Sequence, residues 1–358
     1  QLLYAGDVRV REGAAYALDA IGPAAAEAAP ALRVATKDSD AKVRYRAQQA
    51  LERLSVARYD LTPFFTKAWD KEQEPDQWAR LAQVIASRDP ARIAISTSST
   101  FGLADGLTKT QYDEFTAALD PRYRARLVPG ERLAIGWLET RIPGEMERYG
   151  ELCRIAHAII AEGFTDAVVR PGSTTTKDLE WWYRECIRGL GLGTWFHPPV
   201  SLQREEAGGH SGSFESKPGE RPIAAGDLLH VDFGITYLGL NTDTQQHAYV
   251  LKDGESAAPE GLRAALRVGN RLQDLLTGEF RVGRTGNEVL AATLAAARAA
   301  GIEAVIYTHP LGFHGHGAGA TIGLWDQQGG VPGKGDYPVF GSTAWSIELN
   351  AQVAIPEW

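Results

Sequence analysis

Two aspartates, Asp232 and Asp243, stand in the stretch HVDFGITYLGLNTDTQQHAYVL, residues 230–251, which reads as two apolar strands around a tight turn. Their midpoint falls between Tyr237 and Leu238, beside Gly239, so a hairpin turning there sets the two carboxylates nearly opposite each other. Directly opposed residues of an antiparallel pair have Cβ atoms roughly 4.5–5.5 Å apart. Two like charges at that spacing, flanked by Val231, Phe233, Ile235 and Tyr249, repel each other and lose hydration. Either one carboxyl keeps its proton or a cation lies between them, and a divalent ion removes both penalties. The alternative is a hairpin whose acids face water.

Further ligand types occur downstream. His309, His314 and His316 lie within eight residues, and in extended chain His314 and His316 share a face. Gly315, Gly317 and Gly319 between and after them let backbone or substrate approach closely. Glu348 stands in SIELN between Ile347 and Leu349, and a lone acid in an apolar strand is unusual unless paired. Two Asp, a His and a Glu form a mostly oxygen donor set, suited to manganese, cobalt or zinc in a hydrolytic site rather than to a thiolate structural zinc. Two ions about 3.5–4 Å apart could share such carboxylates and activate water. A rival reading takes HGHGAGATIG as a phosphate loop. It lacks a clean G-x-G-x-x-G, and TIGLWDQQGG does not open like a helix.

The elements that must position these groups can be read from periodicity. From about residue 144 the pattern is PGEMERYGELCRIAHAIIAEGF as a long helix, TTTKDLEWWYRECIRGL as a second, and WFHPPVSLQ as a strand. The polar loop EAGGHSGSFESKPGERP, the hairpin, helices over 259–279 and 285–300, and the closing strand STAWSIELNAQVAI follow. Helices and strands in two similar sets predict an α+β domain of two halves. Residues 55–143 mix the helix PDQWARLAQVIAS, the strand RIAIS and the Thr-capped helix TKTQYDEFTAAL. Residues 1–54 are Ala-rich and helical, and Val10-Arg11, Ala14, Ala17-Leu18 return as Val43-Arg44, Ala47, Ala50-Leu51, an offset of 33. That echo resembles a HEAT-type helical repeat, and it also fits plain Ala-rich helices. The expected division is therefore 1–54, 55–143 and 144–358.

The chain has 358 residues, 44% hydrophobic and 23% charged, an ordinary globular composition. A net charge of −8, with 37 basic against 45 acidic residues, argues against a general nucleic-acid binder. No stretch approaches the roughly 18 apolar residues of a membrane span. Two cysteines, Cys153 and Cys186, read as buried thiols of a reducing, cytoplasmic compartment. The chain opens on Gln1 rather than Met, so the lack of a visible signal peptide decides nothing.

Asp232 in HVDFG, Asp243 in NTDT, His316 in GHGAG and Glu348 in SIELN resemble, in order and local context, the ligand motifs of the pita-bread metallopeptidases, which include methionine aminopeptidase, aminopeptidase P, prolidase and the metal-free creatinase. The likeness covers about 144–358 and is greatest to a bacterial Xaa-Pro aminopeptidase-like subgroup, and 55–143 looks like the tail of the N-terminal domain of aminopeptidase P and creatinase. It implies a pseudo-twofold antiparallel sheet covered by helices, two divalent ions held by Asp232, Asp243, His316 and Glu348, and a peptide substrate. Manganese or cobalt is the expected metal and zinc the alternative. Neither nucleic acid nor membrane is expected as a partner, while a homodimer and a protein contact through the HEAT-like segment stay open.

The sequence also departs from the family pattern. The family's second glutamate ligand has no counterpart before Trp358, and the chain is expected to end just short of it. Where peptidase relatives carry a histidine after the ligand loop, this chain has ATIGLWD, with Trp325 or Asp326 in its place. A family histidine about 17 residues before the first aspartate is replaced by Glu215, with His210 and His197 further off. Asp326 and His314 are carried as candidate catalytic groups, Trp325 and His210 as candidate substrate contacts. Trp181, Trp182 and Trp195 read as core or pocket walls, and His157 as a packing residue. His230 shares a face with Asp232, and His247 with Asp243, so each can support the ligands. A creatinase-like hydrolase or a silent binding module on the same fold is the competing reading.

Overall fold

The computed structural model describes residues 2–21, 25, 27–55, 66–206, 209–211 and 219–355. The chain divides into two compact units, Gln1–Val84 and Ile85–Trp358. Residues 85–143 therefore fold with 144–358.

In the first unit, helices α1 (Val8–Ile21), α2 (Ala29–Ala35) and α3 (Ala41–Ser55) enclose a small core of Leu3, Ala15, Leu32, Ala35, Val43, Ala47 and Ala50. Val43, Ala47 and Ala50 recur at i, i+4 and i+7, which puts them on one helix face. Their small side chains let neighbouring helices approach closely. The 33-residue echo does not carry over into burial, because Val43 is buried while Val10 is exposed. Helix α4 (Gln77–Arg88) crosses the division.

The second unit begins with strand β1 (Ile93–Ile95), helices α5 (Lys109–Ala118) and α6 (Pro121–Arg124), and strand β2 (Leu127–Pro129), which pairs parallel to β1. Helix α5 starts where Thr108 and Gln111 cap each other, satisfying donors that the first turn leaves unpaired. Helix α7 (Glu131–Glu139) then leads to the long α8 (Pro143–Gly163) and to α9 (Thr176–Gly189). Next come β3 (Val200–Glu206), β4 (Gly209–Ser211), β5 (Leu228–Phe233), β6 (Thr236–Tyr237), β7 (Leu240–Asn241) and β8 (Thr244–Tyr249). Helices α10 (Glu260–Glu279) and α11 (Gly286–Ala299) precede β9 (Glu303–Leu311) and β10 (Ala344–Gln352). The sheet order is β4-β3-β5-β8, with β9 and β10 forming a separate antiparallel pair.

The two halves repeat a local device. Thr175 caps α9 by exchanging hydrogen bonds with Asp178, and Thr285 caps α11 in the same way with Glu288. Thr175 bridges to Pro222 and Thr285 to Pro338. Gly172 N–H donates to Ile223 O at 2.7 Å and Gly283 N–H to Val339 O at 2.9 Å. One apolar core joins α8 and α9 to β3 and β5, and a second joins α10 and α11 to β9.

The central hairpin turns at Leu238 and Gly239, with φ of 53° and 76°. Two successive positive φ values make the two-residue turn whose twist matches antiparallel strands. The turn lies one residue later than the spacing of the aspartates predicts. The ladder consequently places Asp232 opposite Gln245, and Asp243 is a diagonal neighbour two residues short of that position. The expectation that the two aspartates lie nearly opposite each other is corrected to this diagonal. The shared face survives, since a shift of two residues preserves alternation.

Candidate metal centre

Five polar side chains converge where β5 and β8 meet β9 and β10. Glu348 and Ser346 on β10 pair with Tyr307 and His309 on β9, so all four share one face. His309 Nε2 lies 2.9 Å from Glu348 Oε1 and 3.7 Å from Asp243 Oδ2, in a site where Asp243 keeps only 3% of its side-chain exposure. Ligand atoms of His309, His316 and Glu348 all fall within 4.8 Å of one another. The rings of His309 and His316 are 4.6 Å apart at a steep angle. Asp232 and Asp243 contact each other and feel the charge of Glu348.

The charges within the cluster act against one another. Burial pushes the Asp243 carboxyl well above the usual carboxylate range, and the charges of Asp232 and Glu348 push it further. Asp232 is raised for the same reasons, burial first and Glu348 next, while contacts with Asp243 and His309 hold it back. Burial depresses the His316 imidazole, and His309 depresses it further. Among the described residues, Asp232 Oδ1 is buried without a hydrogen-bond partner.

The donor set fits a divalent cation. His309 Nδ1 lies 3.0 Å from the Pro310 carbonyl, which can only accept, so Nδ1 carries hydrogen and Nε2 faces two carboxylates. A ligating imidazole characteristically gives its other ring N–H to a carbonyl or carboxylate in this way. The unpartnered oxygen of Asp232, the crowded carboxyls and the oriented imidazole are all accounted for by one positive centre.

His309 stands outside the four-ligand set predicted from motif context. Its signal was the same one that marked Glu348, a polar residue inside an apolar strand, here EAVIYTHPL. Tyr307 was also missed. Its ring lies 5.2 Å from that of His309 and 5.7 Å from that of Trp325, and burial with nearby Glu348 and Asp243 pushes its phenol up to about 12. Trp195 packs 5.2 Å from His316 and donates its indole N–H to Thr242 O at 2.9 Å. A Cβ on Gly315 would overlap the Trp195 ring, which explains the glycine before His316.

The other candidates lie around this cluster or away from it. Trp325 is 47% exposed and Asp326 exposed, both at the tip of a turn closed by Leu324 and Gln327. Only Trp325 reaches the cluster, through Tyr307. His314 is exposed and not part of the His309–His316–Glu348 group. His210 lies on β4 opposite Glu205, with its side chain outside the described residues, as is Glu215. His197 sits between Arg184 and Glu180, away from the cluster. His157, Cys153 and Trp181, read as buried or wall residues, are exposed on the outer faces of α8 and α9.

Among the described residues, no helix is long and apolar enough to cross a membrane. The model of the family described as Metallopeptidase family M24 matches residues 151–337. An X-Pro aminopeptidase from Thermotoga maritima superposes with a TM-score of 0.52 over 76% of this chain and 70% of its own, at 16% identity. A dipeptidase from Pyrococcus horikoshii superposes with a TM-score of 0.51 over 78% and 70%, at 18% identity. At these identities the likeness is one of fold. The search of curated proteins gives no match.

Proposed function

The chain belongs to metallopeptidase family M24 and has the α+β pita-bread fold, and from that premise we propose that it removes the amino-terminal residue from Xaa-Pro peptides. The observation that carries this reading is that His309, His316 and Glu348 offer ligand atoms within 4.8 Å of one another, with Asp243 3.7 Å from His309 and Asp232 in contact with Asp243. These residues would hold one or two divalent ions, with manganese or cobalt preferred and zinc the alternative. A divalent ion bound there supplies Lewis acidity that polarises an amide carbonyl and acidifies water.

The protein's own groups do the rest. Asp232 and Asp243 would have to be ionised to hold an ion, so their raised values would make uptake pH-dependent. His309 keeps its hydrogen on Nδ1 and aims Nε2 inward. Tyr307, Trp195 and Trp325 supply an aromatic wall beside His316, suited to an apolar side chain or a prolyl ring.

The test is to incubate the full chain with manganese or cobalt and Xaa-Pro peptides and to follow product by mass spectrometry. Turnover that disappears together with metal content in Asp232→Ala is the expected result, and full turnover in that variant ends the proposal. A second reading, a non-peptidase hydrolase or silent binding module on the same fold, is favoured by exposed Asp326, which leaves ATIGLWD without an imidazole at the cluster. Metal uptake without cleavage of any peptide would select it. We read the helices of residues 1–54 as part of a HEAT-like protein-contact array, and loss of partner capture on mutating exposed Tyr16 and Tyr45 tests this.

A further inference from the structure

We infer that Gln245, braced by His230 and Ser201, is a positioning residue that aims the Glu348 carboxylate into the cluster. The inference rests on the metallopeptidase reading and adds residues beyond the ligands themselves. Gln245 stands directly across the ladder from Asp232, and its side chain reaches from β8 to β10. Its amide nitrogen lies 3.3 Å from Glu348 Oε2, and its oxygen lies 2.9 Å from His230 Nε2. His230 Nδ1 in turn lies 3.4 Å from the Ser201 hydroxyl, its register partner on β3.

Hydrogen-bond chemistry gives this chain one direction. An amide NH2 only donates, so Glu348 accepts from Gln245. The amide oxygen of Gln245 then accepts from His230 Nε2–H. That tautomer leaves Nδ1 with a lone pair, which accepts from the Ser201 hydroxyl. The flipped amide would set its oxygen against a carboxylate oxygen, so the stated orientation is the satisfied one. Ser201 is 3% exposed and His230 8%, so little water competes for these bonds.

Gln245 thereby holds Glu348 Oε2 and leaves Oε1 2.9 Å from His309 Nε2, two lone-pair atoms placed to share one cation. A carboxylate anchored at Oε2 keeps its other oxygen turned toward the point where His309 and His316 aim. Replacing Gln245 by an apolar residue frees the carboxylate to rotate and takes the amide donor away from Glu348 Oε2, a costly outcome in a buried site. Partners of this kind are characteristically worth 10- to 100-fold in metal affinity.

The experiment measures manganese affinity of the full chain by calorimetric titration. The variants are Gln245→Leu, His230→Leu and His230→Gln, with Gln246→Leu as the control on the opposite strand face. Gln245→Leu and His230→Leu should weaken binding about 10- to 100-fold, with Gln246→Leu unchanged. His230→Gln keeps a donor at the same remove from the backbone and should restore most of the affinity. Nitrogen-15 spectra of the metal-free wild type, which need no variant to fold, should show His230 with hydrogen on Nε2. Wild-type affinity in folded Gln245→Leu, or hydrogen on Nδ1 of His230, overturns the inference and leaves the peptidase proposal standing. A wild type that takes up neither manganese, cobalt nor zinc removes the peptidase proposal and this inference with it.

Discussion

Replacing Glu139 by glutamine should stabilise the second unit most strongly at alkaline pH. Glu139 is the last residue of α7, at the negative end of the helix dipole. It is 2% exposed, accepts from the Thr343 hydroxyl at 3.5 Å, and has no hydrogen-bond partner for Oε2 among the described residues. Burial pushes its carboxyl from 4.5 up to about 8, against the opposing help of Thr343 and the Phe340 backbone. The folded protein thus holds a proton that the unfolded chain has already lost between pH 4.5 and about 8, and stability falls as pH rises through that window. At about 1.4 kcal/mol for each pH unit, the span from 4.5 to about 8 sets a ceiling of about 5 kcal/mol. At pH 5 the same reasoning leaves under about 1 kcal/mol. Glutamine carries no proton to lose, so Glu139→Gln should differ little from wild type at pH 5 and gain progressively up to pH 8. Urea titrations followed by tryptophan fluorescence, in chelator so that metal plays no part, read the difference directly. Other titrating groups are common to both proteins and cancel. A difference that stays flat from pH 5 to 8, or a glutamine variant less stable at pH 8, refutes the argument.

Gly319→Ala should cost on the order of 2 kcal/mol or more, because φ is +135° there and a Cβ would overlap Glu139 Oε2; an unchanged urea midpoint would contradict it. Asp243→Asn should abolish manganese uptake yet raise metal-free stability at neutral and alkaline pH, since it removes a buried carboxyl pressed upward by burial and by Asp232. Calorimetry in chelator showing a less stable variant at every pH would count against the crowded-carboxyl account. Manganese at about 100 times its dissociation constant should add about 2.7 kcal/mol to the wild type, reversibly with chelator, and a thermal midpoint indifferent to metal would show that the folded cluster does not bind it.

Much of the fold was legible because it rests on local signals. Helices α9 and α11 announce themselves by threonine caps, α8 and α10 by apolar periodicity, and β10 by a run of apolar residues interrupted by Glu348. The halves were legible as a repeated order of elements, but the bridges from Thr175 to Pro222 and Thr285 to Pro338 were not, because they join residues about fifty apart. Burial of exposed-face residues was misjudged for a similar reason. Cys153 and His157 have apolar neighbours in sequence, yet α8 turns them outward while Leu152, Ala156, Ile159 and Ile160 face the core. In the site, motif context singled out His316 through its glycines. His309 has no such glycines, only the weaker signal of a polar residue in an apolar strand, and its place on the Glu348-facing side of the β9–β10 ladder shows what it faces.

The turn shows why register matters more to this site than composition does. Had the chain turned between Tyr237 and Leu238, Asp243 would face Asp232 squarely and Gln245 would lie beyond it. Leu238 accepts a left-handed φ of 53° beside Gly239, an uncommon conformation for a side chain of its size. The ladder closes two positions further on, and a neutral amide takes the place opposite Asp232. The carboxyls then stand on a diagonal, near enough to share a cation and spared the closest approach. The amide opposite Asp232 meanwhile lies where it can reach β10 and hold Glu348. Backbone pairing in two ladders therefore forces the acids together against their own repulsion. That is why loss of Asp243's charge is expected to strengthen the fold in chelator while destroying its capacity for metal.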